Sequence, residues 1–383
     1  MAGTPVLGLT YAATTSGWVA KGRELVTAAA DRTGLVAGAY IPGPGTTGLI
    51  NPGATFTDVY PSSGDAAINI TTPGTRTNTR YFGRVVIGQG VSGIKFDNCV
   101  FVGADPLAIE AGGSGLRGCI QNYGTNPPHF EVTNSVFNPL IWATEKGRSA
   151  TSRGFASVVG VHGGNFTMRW TEIVNCQDGI NYLGPNASIP GAADDAFCLM
   201  EMNWLHRGYY INNWYGPDDG QPHCDGFQTN TGKNITLRGN LIGGQRDVEG
   251  YLVWPGGYNA GDDFWNACLM FKQEVFSESA YIENVLVEKN WFGGGSASIN
   301  QTADPEWTWA TTTYRDNWIL YRGSDWGQKM RGNGTGTPGV RVDTARAGGY
   351  YVLRPSLFAG QFINTRIWMP DGSDGGLAPI SNG

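Results

Sequence analysis

The segment from Gln221 to Gln228 carries the residues best suited to acid–base chemistry. His223 lies two positions before Asp225, and the Asp-Gly pair is followed by an apolar residue and an amide. One hypothesis is that His223 and Asp225 face a groove, where the carboxylate acts as an acid, a base or a ligand. The alternative is structural, because an Asp-Gly turn that leads into a strand needs no chemistry. A related phrase at residues 178–181 keeps both hypotheses open.

Paired acidic residues are a second candidate for chemistry. Adjacent acids occur at Asp194–Asp195, Asp218–Asp219 and Asp262–Asp263, all in predicted loops. Glycoside hydrolysis uses two carboxylates, about 5 Å apart in retaining enzymes and about 6.5–9.5 Å apart in inverting ones. We include Asp262 and Asp263 in the predicted substrate-binding set, although acidic loop residues are often only solvated. The sequence has no Cys-x-x-Cys pair and no calcium-loop pattern, so we predict no metal and no cofactor.

Aromatic residues in the predicted loops indicate a sugar-binding surface. The chain has 13 Trp, and rigid aromatic rings offer apolar area to the CH faces of a saccharide. The predicted substrate-binding aromatic residues are Trp214, Tyr215, Trp254, Tyr258 and Trp265. Three other tryptophans occur inside a repeated phrase and are predicted to belong to the core of the fold; they are Trp204, Trp291 and Trp318.

These residues need a scaffold, and the repeated phrase predicts one. Each copy has an apolar residue, a polar residue, a variable residue, a small or polar residue and two mostly apolar residues. The copies begin at Phe96, Val132, Met168, Met200, Leu237, Val287 and Tyr314, with steps of 36, 36, 32, 37, 50 and 27 residues. Short apolar runs between turn residues favour strands over helices. A period of this size indicates a stacked repeat.

The fourth position of the phrase predicts how the repeats stack. It is occupied by Cys99, Ser135, Thr171, Asn203, Asn240, Asn290 and Asn317. If each repeat is one coil of a parallel β-helix, these side chains lie about 4.8 Å apart in one file. Stacked asparagines can hydrogen-bond along such a file. The predicted fold is therefore an all-β solenoid of parallel strands, with a ladder of asparagines at one of its turns.

The rest of the chain divides around this repeat. Residues 1–34 are predicted to be an N-terminal segment with a capping helix from Gly22 to Arg32. Such a cover would protect the open strand edges at the end of a solenoid. Residues 35–330 are predicted to form the parallel β-helix, from which the long connections leave as loops. Residues 331–383 contain further strand-like runs and are predicted to be a small C-terminal β element that serves as a cap or in assembly.

Composition narrows the possible partners. A formal net charge of −6 argues against nucleic acid. No apolar run approaches the roughly 18 residues that a membrane-spanning helix needs. Residues 1–20 show no basic start followed by an apolar core, so no signal peptide is predicted.

The chain resembles the right-handed parallel β-helix proteins of the pectate-lyase-like superfamily. Within that superfamily it is most similar to the minor tail and tailspike-type proteins of phages that infect actinobacteria. The resemblance is carried by the string from Tyr40 to Gly45, the repeated phrase and the string from His223 to Gln228, and it spans residues 35–330. It implies a virion tail protein, made in the host cytoplasm, that binds a host envelope polysaccharide. It also implies contacts with other tail proteins and a homotrimeric state.

Three functions remain open on the sequence alone. The first is the tail protein that binds a cell-surface polysaccharide. The second is an enzyme, a polysaccharide lyase or glycoside hydrolase that uses Asp225 and a loop acid. The third is a structural tail component that acts as a rigid spacer. No catalytic residue is transferred from the family, because the Asp clusters of polygalacturonase-type hydrolases do not recur in order in this sequence.

Overall fold

Strands account for most of the structure. The computed structural model describes residues 5–14, 17–27, 32, 35–38, 41–43, 46–63, 67–112, 117–124, 126–183, 196–208, 225–243, 245–246, 252–253, 267–271, 282–293, 297–303, 312–320, 340–344, 346–347, 350–351, 362–368, 374–377 and 380–382. Its helices are short: α1 (Pro106–Gly112), α2 (Ile141–Lys146) and a 3-10 turn at Arg153–Ser157. In these described segments, no helix has the length and apolar character needed to cross a membrane.

Three successive strands make one coil, and each strand pairs in parallel with its equivalent in the next coil. Sheet A contains β4 (Ala67–Ile70), β7 (Arg84–Ile87), β10 (Arg117–Asn122), β13 (Val158–Gly163), β16 (Asp178–Leu183), the first half of β19 (Asp225–Arg238), β23 (Ala267–Phe271), β26 (Ala297–Ala303), β29 (Val340–Thr344) and β35 (Ile380–Asn382). Sheet B contains β5 (Gly74–Thr77), β8 (Ile94–Asp97), β11 (Phe130–Thr133), β14 (Phe166–Arg169), β17 (Cys198–Glu201), the second half of β19, β24 (Ile282–Glu288), β27 (Thr312–Arg315) and β32 (Phe362–Ile363). Sheet C contains β3 (Thr57–Val59), β6 (Thr79–Tyr81), β9 (Val100–Phe101), β12 (Val136–Phe137), β15 (Glu172–Val174), β18 (Trp204–His206), β20 (Leu241–Gly243), β25 (Trp291–Gly293), β28 (Trp318–Leu320), β33 (Arg366–Trp368) and the antiparallel β34 (Asp374–Leu377).

The repeated phrase sets the register between coils. Val132 pairs with Phe96 on one side and with Met168 on the other, so the first residues of three successive copies lie in one row. Each phrase begins in sheet B, turns, and ends in sheet C. The described strands therefore form an all-β stack of three parallel sheets, consistent with the parallel β-helix solenoid that the repeat predicts.

Apolar side chains from all three sheets fill the inside of the stack. Phe101 stacks on Phe137 with ring centroids 4.5 Å apart, and Tyr81 stacks on Phe101 at 5.3 Å. Alternate residues of each strand point inward, and burying each such side chain contributes about 1.5–3 kcal/mol. The interior is therefore a continuous column, in which each coil packs on the coils next to it.

The turn from sheet B to sheet C is made by the third residue of the phrase. This residue adopts a left-handed backbone conformation in all seven copies, with φ between 51° and 62°. The residues concerned are Asn98, Asn134, Trp170, Met202, Gly239, Lys289 and Asp316. Only glycine and, to a lesser degree, asparagine or aspartate adopt this conformation readily. The position that varies most in sequence thus has a strict backbone requirement.

The asparagine ladder is confirmed. Asn203 donates its backbone N–H to Oδ1 of Asn240 over 2.9 Å, and Asn240 donates likewise to Asn290 over 2.9 Å. Asn290 continues the ladder to Oδ1 of Asn317 over 3.0 Å. All four side chains are fully buried. In the same column, Thr171 donates its backbone N–H to Oδ1 of Asn203 over 3.0 Å.

The predicted N-terminal capping helix is wrong for the residues that the structure describes. Residues 22–27 belong to β2 (Gly17–Thr27), which pairs antiparallel with β1 (Pro5–Thr14). Val26 pairs with Val6 in this hairpin. The apolar residues at 25–30 resemble a helix pattern within a short window, but the pairing partner lies about twenty positions earlier and overrides that local preference. Residues 28–31 lie outside the described residues.

The prediction that Trp204, Trp291 and Trp318 belong to the core is confirmed by their burial. All three are buried, but the residues that follow them, Leu205, Phe292 and Ile319, belong to the interior column. Because side chains alternate along a strand, the three tryptophans point to the outer face of sheet C. At these three positions the outer face of sheet C is therefore covered by other parts of the chain.

An N-terminal strap lies along the B-to-C turns; we define it as the described residues 32, 35–38, 41–43 and 46–51. Arg32 is its buried anchor, and its Nη1 donates to the carbonyl of Gly48 at 2.7 Å and to Oδ1 of Asn134 at 3.1 Å. At the far end, Asn51 exchanges two hydrogen bonds with the side chain of Asn98. A Cβ on Gly239 would lie 2.8 Å from that of Ala37, so glycine is required where the strap passes.

The parallel ladders continue beyond residue 330, where the sequence predicts the end of the stack. Strand β29 pairs in parallel with β26, and β32 and β33 extend sheets B and C. The antiparallel strand β34, which pairs with β33, departs from the coil pattern. Two further antiparallel pairs are β21 (Gln245–Arg246) with β22 (Leu252–Val253), and β30 (Arg346–Ala347) with β31 (Tyr350–Tyr351).

Candidate functional site

The outer face of sheet A presents a row of polar side chains. Ile120, Val161, Ile180 and Phe227 are register partners that point into the core. The residue after each of them therefore faces outward. These residues are Gln121, His162, Asn181 and Gln228, which are also register partners. Adjacent members of the row lie about 4.8 Å apart, which is the spacing of paired strands.

A chain of hydrogen bonds fixes one end of this polar row. Arg84 donates from Nη1 to Oε1 of Gln121 over 2.9 Å, and Gln121 donates from Nε2 to the hydroxyl of Tyr123 over 3.0 Å. The Tyr123 hydroxyl lies 2.5 Å from Nδ1 of His162, and the two rings meet edge to face. The side chains are therefore held in place by one another before any ligand arrives.

The protonation states of this pair follow from burial. Burial lowers the pKa of His162 to about 4, so its imidazole is neutral at neutral pH. Burial also raises the pKa of Tyr123 to about 12, so the phenol keeps its proton. The phenol thus donates to Nδ1, and the neutral ring carries its own proton on Nε2. The pair of Tyr123 and His162 is therefore uncharged, and the charged group of this hydrogen-bond chain is the guanidinium of Arg84.

Asp225 lies at the start of β19 and faces the inside of the stack. It is 2% exposed, and it lies two residues before the inward-facing Phe227. Its Oδ1 accepts the backbone N–H of Ala267 in the next coil over 2.8 Å. This is the bonding that the structural hypothesis for the Asp-Gly phrase requires. A catalytic role for Asp225 stays a prediction.

Asp178 is the equivalent of Asp225 one coil earlier. Its Oδ1 accepts the backbone N–H of Asp225 over 2.8 Å. Burial raises the pKa of Asp178 to about 7, although that hydrogen bond acts in the opposite direction. The two Asp-Gly phrases of the sequence therefore occupy the same place in successive coils, and their carboxylates link coil to coil.

The other predicted site residues lie outside the described residues, but the strands that follow them are described. Outside are His223, Trp214, Tyr215, Trp254, Tyr258, Trp265, Asp262 and Asp263. His223, Trp214 and Tyr215 belong to the connection that leads into β19. The remaining five belong to the connection that leads into β23. The first residues of these strands, Asp225 and Ala267, are register partners. Both connections therefore enter sheet A at adjacent positions on one edge.

His162 and Tyr123 are site residues that the sequence analysis did not identify. Neither occurs in a motif, and they are 39 positions apart. Only the pairing of β10 with β13 brings them together. The amide ending each Asp-Gly phrase, Asn181 and Gln228, was a usable signal for the row.

No group of three His, Cys, Asp or Glu side chains with the arrangement of a metal site occurs in the described part of the chain. Comparison of the chain with protein-family models, curated proteins and solved structures gives no match. The geometry of the surface therefore carries the functional inference.

Proposed function

We propose that this protein binds a host cell-surface polysaccharide as a component of a phage tail. One observation carries the proposal: two aromatic-rich connections enter adjacent strands at the edge of a face with a register-aligned row of polar side chains. The handedness, the superfamily and the oligomeric state in this proposal come from the resemblance of the sequence to β-helix proteins of phage tails. The stack is a right-handed, pectate-lyase-like β-helix, since parallel crossovers are almost always right-handed. It assembles as a homotrimer with other tail proteins in the virion.

The chemistry of sheet A supports a saccharide ligand. A sugar ring has hydroxyl groups at its rim and CH groups on its faces. The side chains of the row, Gln121, His162, Asn181 and Gln228, are polar and carry no formal charge, so none of them is an isolated charge that must lose its water when a ligand covers this face. The aromatic side chains of the connections would cover the CH faces. Residues held by a packed sheet lose little freedom on binding, which favours affinity.

Binding of envelope polysaccharide tests the proposal. We expect purified protein to retain polysaccharide extracted from the host envelope, and the double variant Trp254→Ala, Trp265→Ala to lose at least tenfold in affinity. Tyr60→Ala is the matched control, because Tyr60 is an exposed aromatic residue of the first coils, next to β3. Loss of binding in the control variant alone, or no binding by the wild type, would contradict the proposal.

The same experiment separates a binder from an enzyme. Shortening of the polysaccharide chains during incubation would show a lyase or hydrolase. In that case Asp225→Asn, which keeps an oxygen for the N–H of Ala267, tests whether Asp225 supplies the proton. Binding to host cells without shortening supports the proposed function. No binding to any host envelope component would favour the rigid spacer.

A further inference from the structure

A column of alternating charges runs along the outer edge of sheet B. The second residue of the repeated phrase is register-paired from coil to coil. In five successive coils these residues are Arg169, Glu201, Arg238, Glu288 and Arg315. We name this set the arginine column, because its arginines outnumber its glutamates.

Each glutamate of the column lies between two arginines. Glu201 pairs with Arg169 at 3.0 Å and with Arg238 at 3.5 Å. Glu288 pairs with Arg238 at 2.6 Å and with Arg315 at 2.5 Å. Burial acts to raise the pKa of Glu288, but the hydrogen bonds from Arg315 and Arg238 outweigh it and the pKa is lowered. Glu288 is therefore charged, each glutamate is paired with two arginines, and the column has one arginine more than glutamates.

The arginines keep most of their donors for other partners. A guanidinium has five N–H donors. Within the described residues, Arg169 uses only Nε, and Arg315 uses only Nη2. Their side chains are 32% and 47% exposed, whereas that of Glu288 is 6% exposed. Glu288 thus lies beneath its arginine partners, whereas Glu201 is 24% exposed and shares the surface with them.

These guanidinium groups line a cleft. The cleft has a volume of about 640 Å³ and lies between the arginine column and the strap residues 35–37. Trp170 and Lys289 also line it. Glu201 and Glu288 also line it, so the wall formed by the sheet has an excess of two positive charges, while the wall formed by the strap is apolar. This combination suits a ligand that carries acidic groups and also has apolar CH faces.

Trp170 is the least expected residue in the cleft. Its backbone is left-handed, with φ of 51°, although a bulky side chain in this region costs about 1–2 kcal/mol. Asn98 and Asn134 occupy the same turn position in the two preceding coils at φ of 52° and 51°. The indole Nε1 is buried without an acceptor in the described chain. Strain and an unsatisfied donor at one residue indicate selection for something other than stability.

We propose that the cleft binds an anionic saccharide chain, in which the arginine column holds the acidic groups and Trp170 contacts a sugar face. Arginine recognises carboxylate, sulfate or phosphate with paired N–H donors. The arginines recur in every second coil, so their spacing along the stack is about 10 Å. A chain with one acidic group per disaccharide has a matching repeat. The inference rests on the proposed function, since it names a class of saccharide, but the cleft is separate from the face of sheet A.

Nucleic acid fits this cleft less well. Its phosphates follow one another every 3.4 Å or so along each strand of a duplex, about a third of the arginine spacing. The whole protein is acidic, with a formal charge of −6, which opposes the approach of a polyanion of high charge density. A polymer with sparse charges loses less to this repulsion.

Calorimetric titration with defined polymers tests the proposal. The probes are hyaluronate, with one carboxylate per disaccharide; polygalacturonate, with one per residue; chondroitin sulfate, with added sulfates; a neutral galactan; and a thymidine oligonucleotide. We expect hyaluronate or chondroitin sulfate to bind and the galactan and the oligonucleotide not to bind. Preference between hyaluronate and chondroitin sulfate shows whether sulfate groups add to the binding that carboxylates provide. Affinity should fall as salt concentration rises.

Two variants locate the binding. Trp170→Asn and Arg315→Gln should each reduce the affinity for the bound polymer about tenfold, in line with loss of one aromatic contact or one charge-assisted pair. Trp170→Asn should unfold at the same or a higher denaturant concentration than wild type, because asparagine suits the left-handed turn. Lys95→Gln is the matched control for charge, since Lys95 lies in β8 beyond the cleft residues; it should bind like wild type.

Each result decides between hypotheses. If host polysaccharide binds but both cleft variants bind it and the anionic probes like wild type, the cleft proposal fails and the proposed function stands. If the anionic probes bind in the cleft but no host envelope component is retained, the proposed function fails. If Trp170→Asn unfolds at a lower denaturant concentration and keeps its affinity, Trp170 is a packing residue. Equal binding of the oligonucleotide would overturn the choice of ligand.

Discussion

At the residue scale, Asn240 shows how one amide joins three coils. Its Oδ1 accepts the N–H of Asn203, and its Nδ2 donates to the carbonyl of Met200 and to Oδ1 of Asn290. Each group left without a partner in a buried site costs about 1–3 kcal/mol. The ladder therefore contributes to stability alongside the apolar interior next to it.

Replacement of this amide gives a direct prediction. Asn240→Ala should lower the free energy of unfolding by about 3 kcal/mol, because several buried polar groups lose partners at once. Urea unfolding followed by circular dichroism measures the change. Asn69→Ala serves as control, since Asn69 is exposed in β4, and its unfolding should match that of wild type. A similar loss in both variants would contradict a special role for the ladder.

The pKa of Asp178 gives a second residue-scale prediction. It is about 7 in the folded protein, against 3.8 for the ordinary carboxyl. Between these values the folded state binds a proton that the unfolded state has lost, so this group reduces stability as pH rises from about 4 to about 7. The loss is at most about 4 kcal/mol.

Asp178→Asn isolates this effect. Asparagine keeps an oxygen for the N–H of Asp225 but cannot ionise. We expect the variant to gain stability relative to wild type as pH rises from 4 to 7, with the largest difference above pH 7. Urea midpoints at several pH values in this window measure it. Parallel curves for the two proteins would show that Asp178 ionises normally.

At the element scale, the strap depends on the buried guanidinium of Arg32. Its Nη groups donate to the carbonyls of Gly48 and Thr47 within the strap and to Oδ1 of Asn134 in the stack. Burial lowers the pKa of Arg32 to about 10, although the charge of Asp97 opposes the shift. The group therefore remains charged at neutral pH, and its bonds are charge-assisted.

Arg32→Met should release the strap. The carbonyls that Arg32 holds would be left buried without a donor, so we expect a loss of about 2–4 kcal/mol in stability. Limited proteolysis with mass spectrometry should show new cleavage within residues 32–51. Arg153→Met, at an exposed arginine, should leave the cleavage pattern unchanged. If Arg32→Met keeps the wild-type stability and pattern, apolar contacts alone hold the strap.

At the scale of the whole molecule, the stack behaves as a set of repeated units. Each coil contacts mainly its two neighbours, so its removal need not disturb the rest. Asn290 and Asn317 are equivalent positions separated by 27 residues. The residues from Asn290 to Asp316 contain one strand of each sheet, namely β25, β26 and β27.

Deletion of one complete coil tests this description. Removing residues 290–316 joins Lys289 to Asn317 and keeps the turn, the ladder position and the inward–outward alternation. We expect a folded protein with the circular dichroism of wild type and reduced stability. Removing residues 290–309 instead breaks the register and should give aggregated or unfolded protein. Equal behaviour of the two deletions would contradict the coil assignment.

The sequence by itself determined the repeated coil, its parallel stacking and the asparagine ladder. These follow from a local pattern of apolar residues, turn residues and amides. Every repeat carries this pattern, so every coil folds and stacks in the same way. The charges of the arginine column are also visible in the phrase, but they become a column only when the coils are stacked.

Tertiary structure alone decided the rest. Residues 22–27 are a strand because they pair with residues 5–10 in a hairpin, and Trp204, Trp291 and Trp318 are buried although they point to the outer side of sheet C. The inward direction of Asp225 and the meeting of Tyr123 with His162 depend on register between coils. Contacts between coils cannot be predicted from the local sequence pattern, because the free energy that favours them arises only when the coils pack.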